Sequence, residues 1–305
     1  VGRRSTAPAA SSRPPMPDRT GSPRAALLAT DLDGTLLRSD GTLSARTREA
    51  IAAAEEAGVP TVFVTARPPR WLDDLASAVG DATGGVALSA NGAFVYHVAS
   101  RTVTEMGTMS PDVLHELGDL LRSAIPGIAF AVERADGMRR EDRFAYVREA
   151  PADDSLDDWA QIASRPAGKL LAKLEGSDPD DFHRRVDEVL AGRAELGFSG
   201  AIGLAEITAR GVTKASGLAS WSAEHGYARE TVWAVGDMPN DLPMLRWAGR
   251  AFAVANAHRD VLASVHEVVA TNDEDGVAAI LDRISRDRGR AAVRASVPDD
   301  HEERP

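Results

Sequence analysis

The chain has 305 residues, 43% of them hydrophobic, enough for a sizeable core in one large domain or two smaller ones. It has no cysteine, which excludes disulfides and thiolate metal sites and fits a reducing compartment, the cytoplasm. A formal net charge of −11 argues against a nucleic-acid partner, which would require a basic face, and no run of apolar residues is long enough for a membrane helix.

The first two dozen residues are rich in Arg, Ser, Ala and Pro, with Asp18 as their one acid. Their composition overlaps with a transit peptide, but they lack the spaced apolar residues of an amphipathic helix. Residues 1–23 therefore read as a disordered extension. Order begins with residues 26–30, a short apolar run ending in acid and glycine, as expected of a strand buried on both faces. Ser44 then supplies an N-cap, alanines and glutamates support a helix, and Gly58 ends it. A β-branched run at 61–65 completes a strand–helix–strand unit, which implies a parallel sheet. Residues 70–79 have helical spacing, and a short strand at 86–88 leads into Asn91-Gly92, a turn signal.

From 94 to 204 the pattern changes to period-2 pieces (VYHV, TVTEM, IAFAVER, RFAYVRE, KLLAKLEG, AELGF) with helical stretches at 111–124 and 179–192. This α+β pattern reads as a second domain inserted into the first. The α/β pattern then returns. A helix is expected at 214–226, an apolar run ending in Asp237 at 231–237, a helix at 242–248, strands at 251–255 and 268–269, and a closing helix at 275–284. The expected organisation is an α/β core from 24–93 and 205–286, an insert from 94–204, and a disordered tail from 287–305.

The chemistry concentrates at strand ends. In Asp31-Leu32-Asp33-Gly34-Thr35, two carboxylates two residues apart leave a strand on the same side. They do so where parallel sheets bind ligands, beyond the C-terminal edge. Gly34 lets the backbone turn so that amides face an anion. Acids this close repel unless a cation relieves them or they divide the work of nucleophile and general acid or base. A second acidic cluster, Gly236-Asp237-Met238-Pro239-Asn240-Asp241, follows another buried-looking strand, and oxygen ligands at this density suit Mg²⁺. The Thr65 hydroxyl and the Lys214 ammonium suit equatorial phosphate oxygens. Taken singly, each has a bland reading as turn, cap or surface residue; all four in this order do not.

Together these residues resemble the haloacid dehalogenase superfamily of phosphohydrolases over residues 25–284. DLDGT matches the first motif, Thr65 the second, Lys214 the third and GDMPNDLPML the fourth. Only about thirty residues separate Leu36 from Thr65, room for one helix and one strand, so any cap must lie between Thr65 and Lys214. That position, with Ser89-Ala-Asn91-Gly92-Ala93, Ala255-Asn256-Ala257 and Thr271-Asn-Asp-Glu-Asp-Gly276, looks like the Cof-type branch, which carries a C2B cap. The resemblance implies a doubly wound Rossmann-like core and a phosphatase acting on a small-molecule phosphate monoester.

It implies roles as well. Asp31 becomes an aspartyl-phosphate, and Asp33 protonates the leaving alkoxide and then activates water. Mg²⁺ is held by Asp31, the Asp33 carbonyl and Asp237, with Asn240 and Asp241 in support, directly, through water or by anchoring Lys214. Thr65, Lys214 and the backbone at Leu32 and Gly34 bind phosphate, while Asn91, Gly92 and Arg67 face substrate. The family's frequent Thr-Gly-Arg is here Thr65-Ala66-Arg67, tolerable if φ at Ala66 is negative. Two rival readings share these residues: a phosphomutase acting on a sugar phosphate, and a non-catalytic phosphoryl-binding protein. Selectivity is expected from the cap, with the arginines of 137–143 and 164–169 as candidate readers of a second anionic group.

Overall fold

A computed structural model describes residues 23–80, 83, 85–144, 155–197 and 203–295, with side chains as far as residue 289. The expected N-terminal extension lies outside them up to residue 22, as do residues 296–305 of the expected tail.

The chain opens with β1 (Leu27–Thr30), whose four residues are all buried. In α1 (Ala45–Glu56) the Ser44 hydroxyl accepts from the Thr47 amide, as the N-cap signal predicts. Next come β2 (Thr61–Val64), α2 (Asp73–Val79), β3 (Val86–Ser89), β4 (Phe94–His97) and β5 (Thr102–Glu105). The intervening segment runs through α3 (Pro111–Ala124), β6 (Ala129–Arg134), β7 (Gly137–Arg140), β8 (Ser155–Leu156), α4 (Trp159–Ile162), β9 (Lys169–Lys173), α5 (Pro179–Leu190), β10 (Ala194–Gly197) and β11 (Leu204–Ala209). The chain then forms α6 (Lys214–Glu224), β12 (Val232–Gly236), α7 (Leu242–Trp247), β13 (Arg250–Val254), α8 (Arg259–Leu262), β14 (Glu267–Val269) and α9 (Gly276–Ala295).

Two sheets result. The first has the order β14-β13-β12-β1-β2-β3-β4-β5, parallel from β14 to β3 and antiparallel beyond. The strand order reverses direction at β1, which pairs with β2 on one side and with β12, some two hundred residues away, on the other. That switch point is where open α/β sheets bind ligands. The second sheet, β10-β11-β9-β6-β7-β8, is antiparallel apart from the short β7–β8 pair. One of its faces buries Phe130, Leu170 and Ile207 against Leu117 and Leu121 of α3 and Phe182 and Val186 of α5. Its other face looks toward the first sheet. The fold is thus α/β with an inserted α+β unit.

The divisions expected at 94 and 204 are displaced at both ends. β4 and β5 extend the first sheet, because Tyr96 and its neighbours pair with β3 and the Tyr96 hydroxyl donates to Asp73 Oδ1 of α2 at 2.5 Å. β11 belongs wholly to the second sheet, between β10 and β9. Period-2 patterning marks antiparallel strands but not the sheet they join. At the C-terminus, α9 continues to Ala295 through the start of the expected tail at residue 287, and Arg288 Nη2 donates to the Ala25 carbonyl at 2.8 Å.

Candidate active site

Asp31 follows β1 directly, and its amide donates to the Val235 carbonyl of β12 at 3.0 Å. The chain then bends over Leu32–Leu36, with Leu32 buried and the Leu37 amide closing the bend on the Leu32 carbonyl at 2.9 Å. Gly34 has φ +74°, and a Cβ there would stand 2.5 Å from Asp237 Oδ2. The bend therefore requires glycine for both conformation and space. Two asparagines brace it from behind. Asn256 Nδ2 donates to the Gly34 carbonyl at 2.7 Å and its Oδ1 accepts from the Asn272 amide, while Asn272 Nδ2 donates to the Leu37 carbonyl at 2.9 Å.

The second acidic cluster meets the first across the β1–β12 pair. Lys214, at the start of α6, points its ammonium between Asp31 Oδ1 at 2.5 Å and Asp241 Oδ1 at 2.7 Å. The Thr213 hydroxyl and Ser216 form a capping box that starts this helix and so sets the lysine's position. Asp241 Oδ2 accepts from the amides of Asp237 and Met238, both at 3.0 Å. Asp237 Oδ1 accepts from the Thr35 hydroxyl at 2.8 Å. All of Asp31, Asp237, Asp241 and Lys214 are buried.

Carboxylate oxygens of Asp31, Asp237 and Asp241 lie within 4.8 Å of one another. Three ionised carboxylates against one ammonium would leave two negative charges out of water. Burial raises the Asp31 pKa well above the usual carboxylate range; Lys214 opposes this, while Asp241 and Asp237 add to it. Burial and the Asp241 charge push Asp237 up to about 6, against the Thr35 hydrogen bond. Burial works against the Lys214 ammonium, but Asp241 and Asp31 outweigh it and raise its pKa. A divalent cation would cancel the excess charge, and hard carboxylate oxygens are the donors that such an ion prefers.

Thr65 directly follows β2, fully buried, with its hydroxyl accepting from the Arg67 amide at 3.0 Å. Ala66 has no positive φ, as the sequence requires of a residue replacing glycine. Arg67 is aimed at Asp33: Nε and Nη2 donate to its two carboxylate oxygens at 2.8 and 2.6 Å. The Asp33 side chain is thereby turned away from the buried cluster and is 59% exposed. Asn91 sits at φ +58° on a turn whose amide donates to the Thr65 carbonyl; it is buried, and its Oδ1 has no hydrogen-bond partner among the described residues. Gly92, expected to face substrate, instead packs on α6: a Cβ would lie 2.8 Å from the Thr213 carbonyl and 3.1 Å from Gly217 Cα.

A cavity of about 180 Å³ opens above this cluster, bounded by Asp31, Asp33, Arg67 and Lys214 below and by Trp71, Leu204 and Glu206 toward the second sheet. A neighbouring cavity of about 230 Å³ shares Lys214 and Asn240 with it and reaches Asn91. The insert is docked on the loop after β2. Lys169 Nζ donates to the Ala66 carbonyl at 2.7 Å and to Glu206 Oε2 at 2.5 Å, and Arg70 forms a two-point ion pair with Glu133 at 2.7 and 3.0 Å. Sequence reasoning missed Glu206, Glu133 and Trp71. The available signal was a lone acid in an otherwise apolar strand, LAEIT, which a buried strand keeps only with a partner.

Comparison with known proteins agrees with this architecture. Residues 28–281 match the model of the haloacid dehalogenase-like hydrolases. The 5-amino-6-(5-phospho-D-ribitylamino)uracil phosphatase YitU of Bacillus subtilis is 30% identical over 269 residues, covering 84% of this chain and 96% of the relative. The pyridoxal phosphate phosphatase YbhA of Escherichia coli is 27% identical over 277 residues, with 84% and 97% covered. A solved haloacid dehalogenase-like hydrolase from Bacteroides thetaiotaomicron superposes with a TM-score of 0.71 at 26% identity, over 86% of this chain and all of that one. The subclass IIB sugar phosphatase BT4131 shares the fold at a TM-score of 0.68 and 21% identity, over 84% of this chain and 98% of that one. The chain belongs to the haloacid dehalogenase-like hydrolases.

Proposed function

We propose that this haloacid dehalogenase-like hydrolase is a Mg²⁺-dependent phosphatase that removes phosphate from the monoester of a small metabolite, with Asp31 as the nucleophile. The observation that carries the reading is the buried Lys214 ammonium between Asp31 and Asp241, with Asp237 alongside. Such an arrangement is costly in a merely structural role, because burying more acids than bases is unfavourable unless a ligand balances them.

Mg²⁺ fits the donor set. Asp31, Asp237 and the Asp33 carbonyl would hold it. Both Asp241 oxygens are occupied by Lys214 and two amides, which supports an anchoring role for that residue. When bound, the ion supplies charge neutralisation for the nucleophile and the transferring phosphoryl group.

The chain's own residues do the rest. An Asp31 carboxylate oxygen attacks phosphorus and the bond to the leaving oxygen breaks; Asp33, released from Arg67 and carrying a proton taken from solvent, gives that oxygen its proton. Asp33, now ionised, takes a proton from water, whose oxygen attacks the aspartyl-phosphate and frees Asp31 and inorganic phosphate. Lys214 and the Thr65 hydroxyl hold equatorial phosphate oxygens, where charge accumulates in the transition state. Arg67 holds Asp33 at the mouth of the cavity until substrate competes for one of its oxygens.

Phosphate release from a panel of phosphorylated metabolites, with Mg²⁺ and with EDTA, beside Asp31→Asn, tests the proposal. Metal-dependent release by the wild type alone is expected. Release that survives EDTA or the substitution overturns it.

A further inference from the structure

Lys169 of β9 reaches out of the insert to the loop that carries Arg67. Resting on the phosphatase reading above, we infer that Lys169 is a positioning residue for catalysis. It fixes the Ala66–Arg67 peptide so that the Arg67 guanidinium meets Asp33, and the active site is incomplete without the insert.

The peptide that joins Ala66 to Arg67 is held at both ends. Its carbonyl accepts from Lys169 Nζ at 2.7 Å, and its N–H donates to the Thr65 hydroxyl at 3.0 Å. One residue on, the Arg67 carbonyl accepts from the Ala90 amide at 2.8 Å. Loops of the first sheet thus anchor the amide and the Arg67 carbonyl, whereas the insert anchors the Ala66 carbonyl. Fixing this peptide plane fixes the direction in which the Arg67 side chain leaves the backbone. The two-point fork on Asp33 tolerates little change in that direction.

The insert is built to deliver this contact. Glu133 stands directly opposite Lys169 across β6 and β9, and Glu206 stands opposite Leu171, two residues along β9. All three charged side chains therefore share one face of the second sheet, and all are over nine-tenths buried. Glu206 Oε2 accepts from Lys169 at 2.5 Å, so the pair brings a charged donor to the carbonyl without adding net charge to the cavity wall. Gly168, just before the lysine, packs on β4: a Cβ there would collide with the Phe94 ring and lie 3.0 Å from Ala93 Cβ. Glycine lets this end of β9 close on the first sheet. Docking is already served by the two-point Arg70–Glu133 pair; Lys169 adds a contact to the one carbonyl that precedes Arg67. Arg165, of the stretch expected to read a second anionic group, pairs with exposed Asp136 at 3.0 Å, and the same stretch brings Lys169 to the active-site loop.

Replacing Lys169 alone would strand a buried carboxylate, and the damage would be to folding. The test therefore neutralises the pair, as Lys169→Met with Glu206→Gln and, in a second protein, as Lys169→Gln with Glu206→Gln, where the shorter side chain falls short of the carbonyl. Circular dichroism and melting temperature check that each is folded. Activity is read under Mg²⁺ on p-nitrophenyl phosphate, or on the fastest monoester of the metabolite panel.

In the wild-type background each pair should lower kcat about tenfold and leave KM within about threefold, as for a misplaced catalytic group. In the Arg67→Ala background the same pairs should cost less than about twofold, because the residue they position is gone. A tie that served only to hold the insert would show no such dependence on Arg67. An unchanged kcat, a loss confined to KM, or equal losses in both backgrounds, in either folded protein, overturns the inference and leaves the phosphatase reading standing. No metal-dependent release by the wild type from any monoester overturns both.

Discussion

Arg67 holds Asp33 face to face, two nitrogens on two oxygens at 2.8 and 2.6 Å, although the residues lie on loops after different strands. A forked pair of this kind fixes direction as well as charge. The proposed acid–base group therefore has a defined resting position at the cavity mouth, outside the buried acidic cluster.

If Arg67 acts through Asp33, the two should not contribute independently. Asp33→Asn is expected to lower kcat by about 10²–10⁴, as for loss of a general acid. Arg67→Ala should lower kcat about tenfold, and the double variant should be hardly worse than Asp33→Asn alone. Steady-state kinetics on the three proteins checks this. Full additivity, or an Arg67→Ala effect confined to KM, would place Arg67 on the substrate instead.

Asp31→Asn removes the nucleophile while preserving shape. Phosphate release should fall below about one part in 10⁴ of wild type. The melting temperature should change little, because the amide also relieves crowding among Asp31, Asp237 and Asp241. Residual turnover in a folded variant would assign the attack to another group.

Asp237 carries a pH signature. Its pKa in the folded chain, about 6, stands above the ordinary 3.8. The proton it keeps therefore contributes stability that is complete below about pH 4 and is lost as the pH rises through 6. The metal-free protein pays for a bare carboxylate above that range, and Mg²⁺ relieves it. Added Mg²⁺ should thus raise the melting temperature by several degrees at pH 7.5 and by much less at pH 5. Equal shifts at both pH values would argue that Asp237 does not hold the ion.

Gly34→Ala tests the bend beside Asp237. The new methyl must adopt φ +74° and displace Asp237 Oδ2, 2.5 Å away. The expected cost is roughly 1–2 kcal/mol for the left-handed backbone alone. Thermal melts with a Mg²⁺ titration should show lower stability and a weaker metal response. A variant with wild-type metal affinity would mean that the bend tolerates the move.

Much of the site was legible in the sequence because its parts are local. Asp31, Asp33 and Gly34 sit within one short turn; so do Asp237, Asn240 and Asp241, and an apolar run before each turn places it at a strand end. The residues that complete the site are remote from those turns. Asn256 and Asn272 match family patterns in the sequence, but their hydrogen bonds to the Gly34 and Leu37 carbonyls appear only once β13 and β14 are packed beside the bend. Gly92 reads locally as part of a turn that could face substrate, whereas its lack of a side chain serves the close approach of α6.

The sequence by itself determined the α/β class, the acids and hydroxyl that follow the strands and the lysine that opens α6, because strand periodicity and short motifs are carried by neighbouring residues. Tertiary structure alone decided that β4 and β5 join the first sheet, that Arg67 takes Asp33, and that Lys169 pairs with Glu206 of the cavity wall. Those outcomes depend on which distant residues come to lie side by side in the low-dielectric interior, where an ion pair or a strand register is selected by its surroundings and not by its neighbours in the chain.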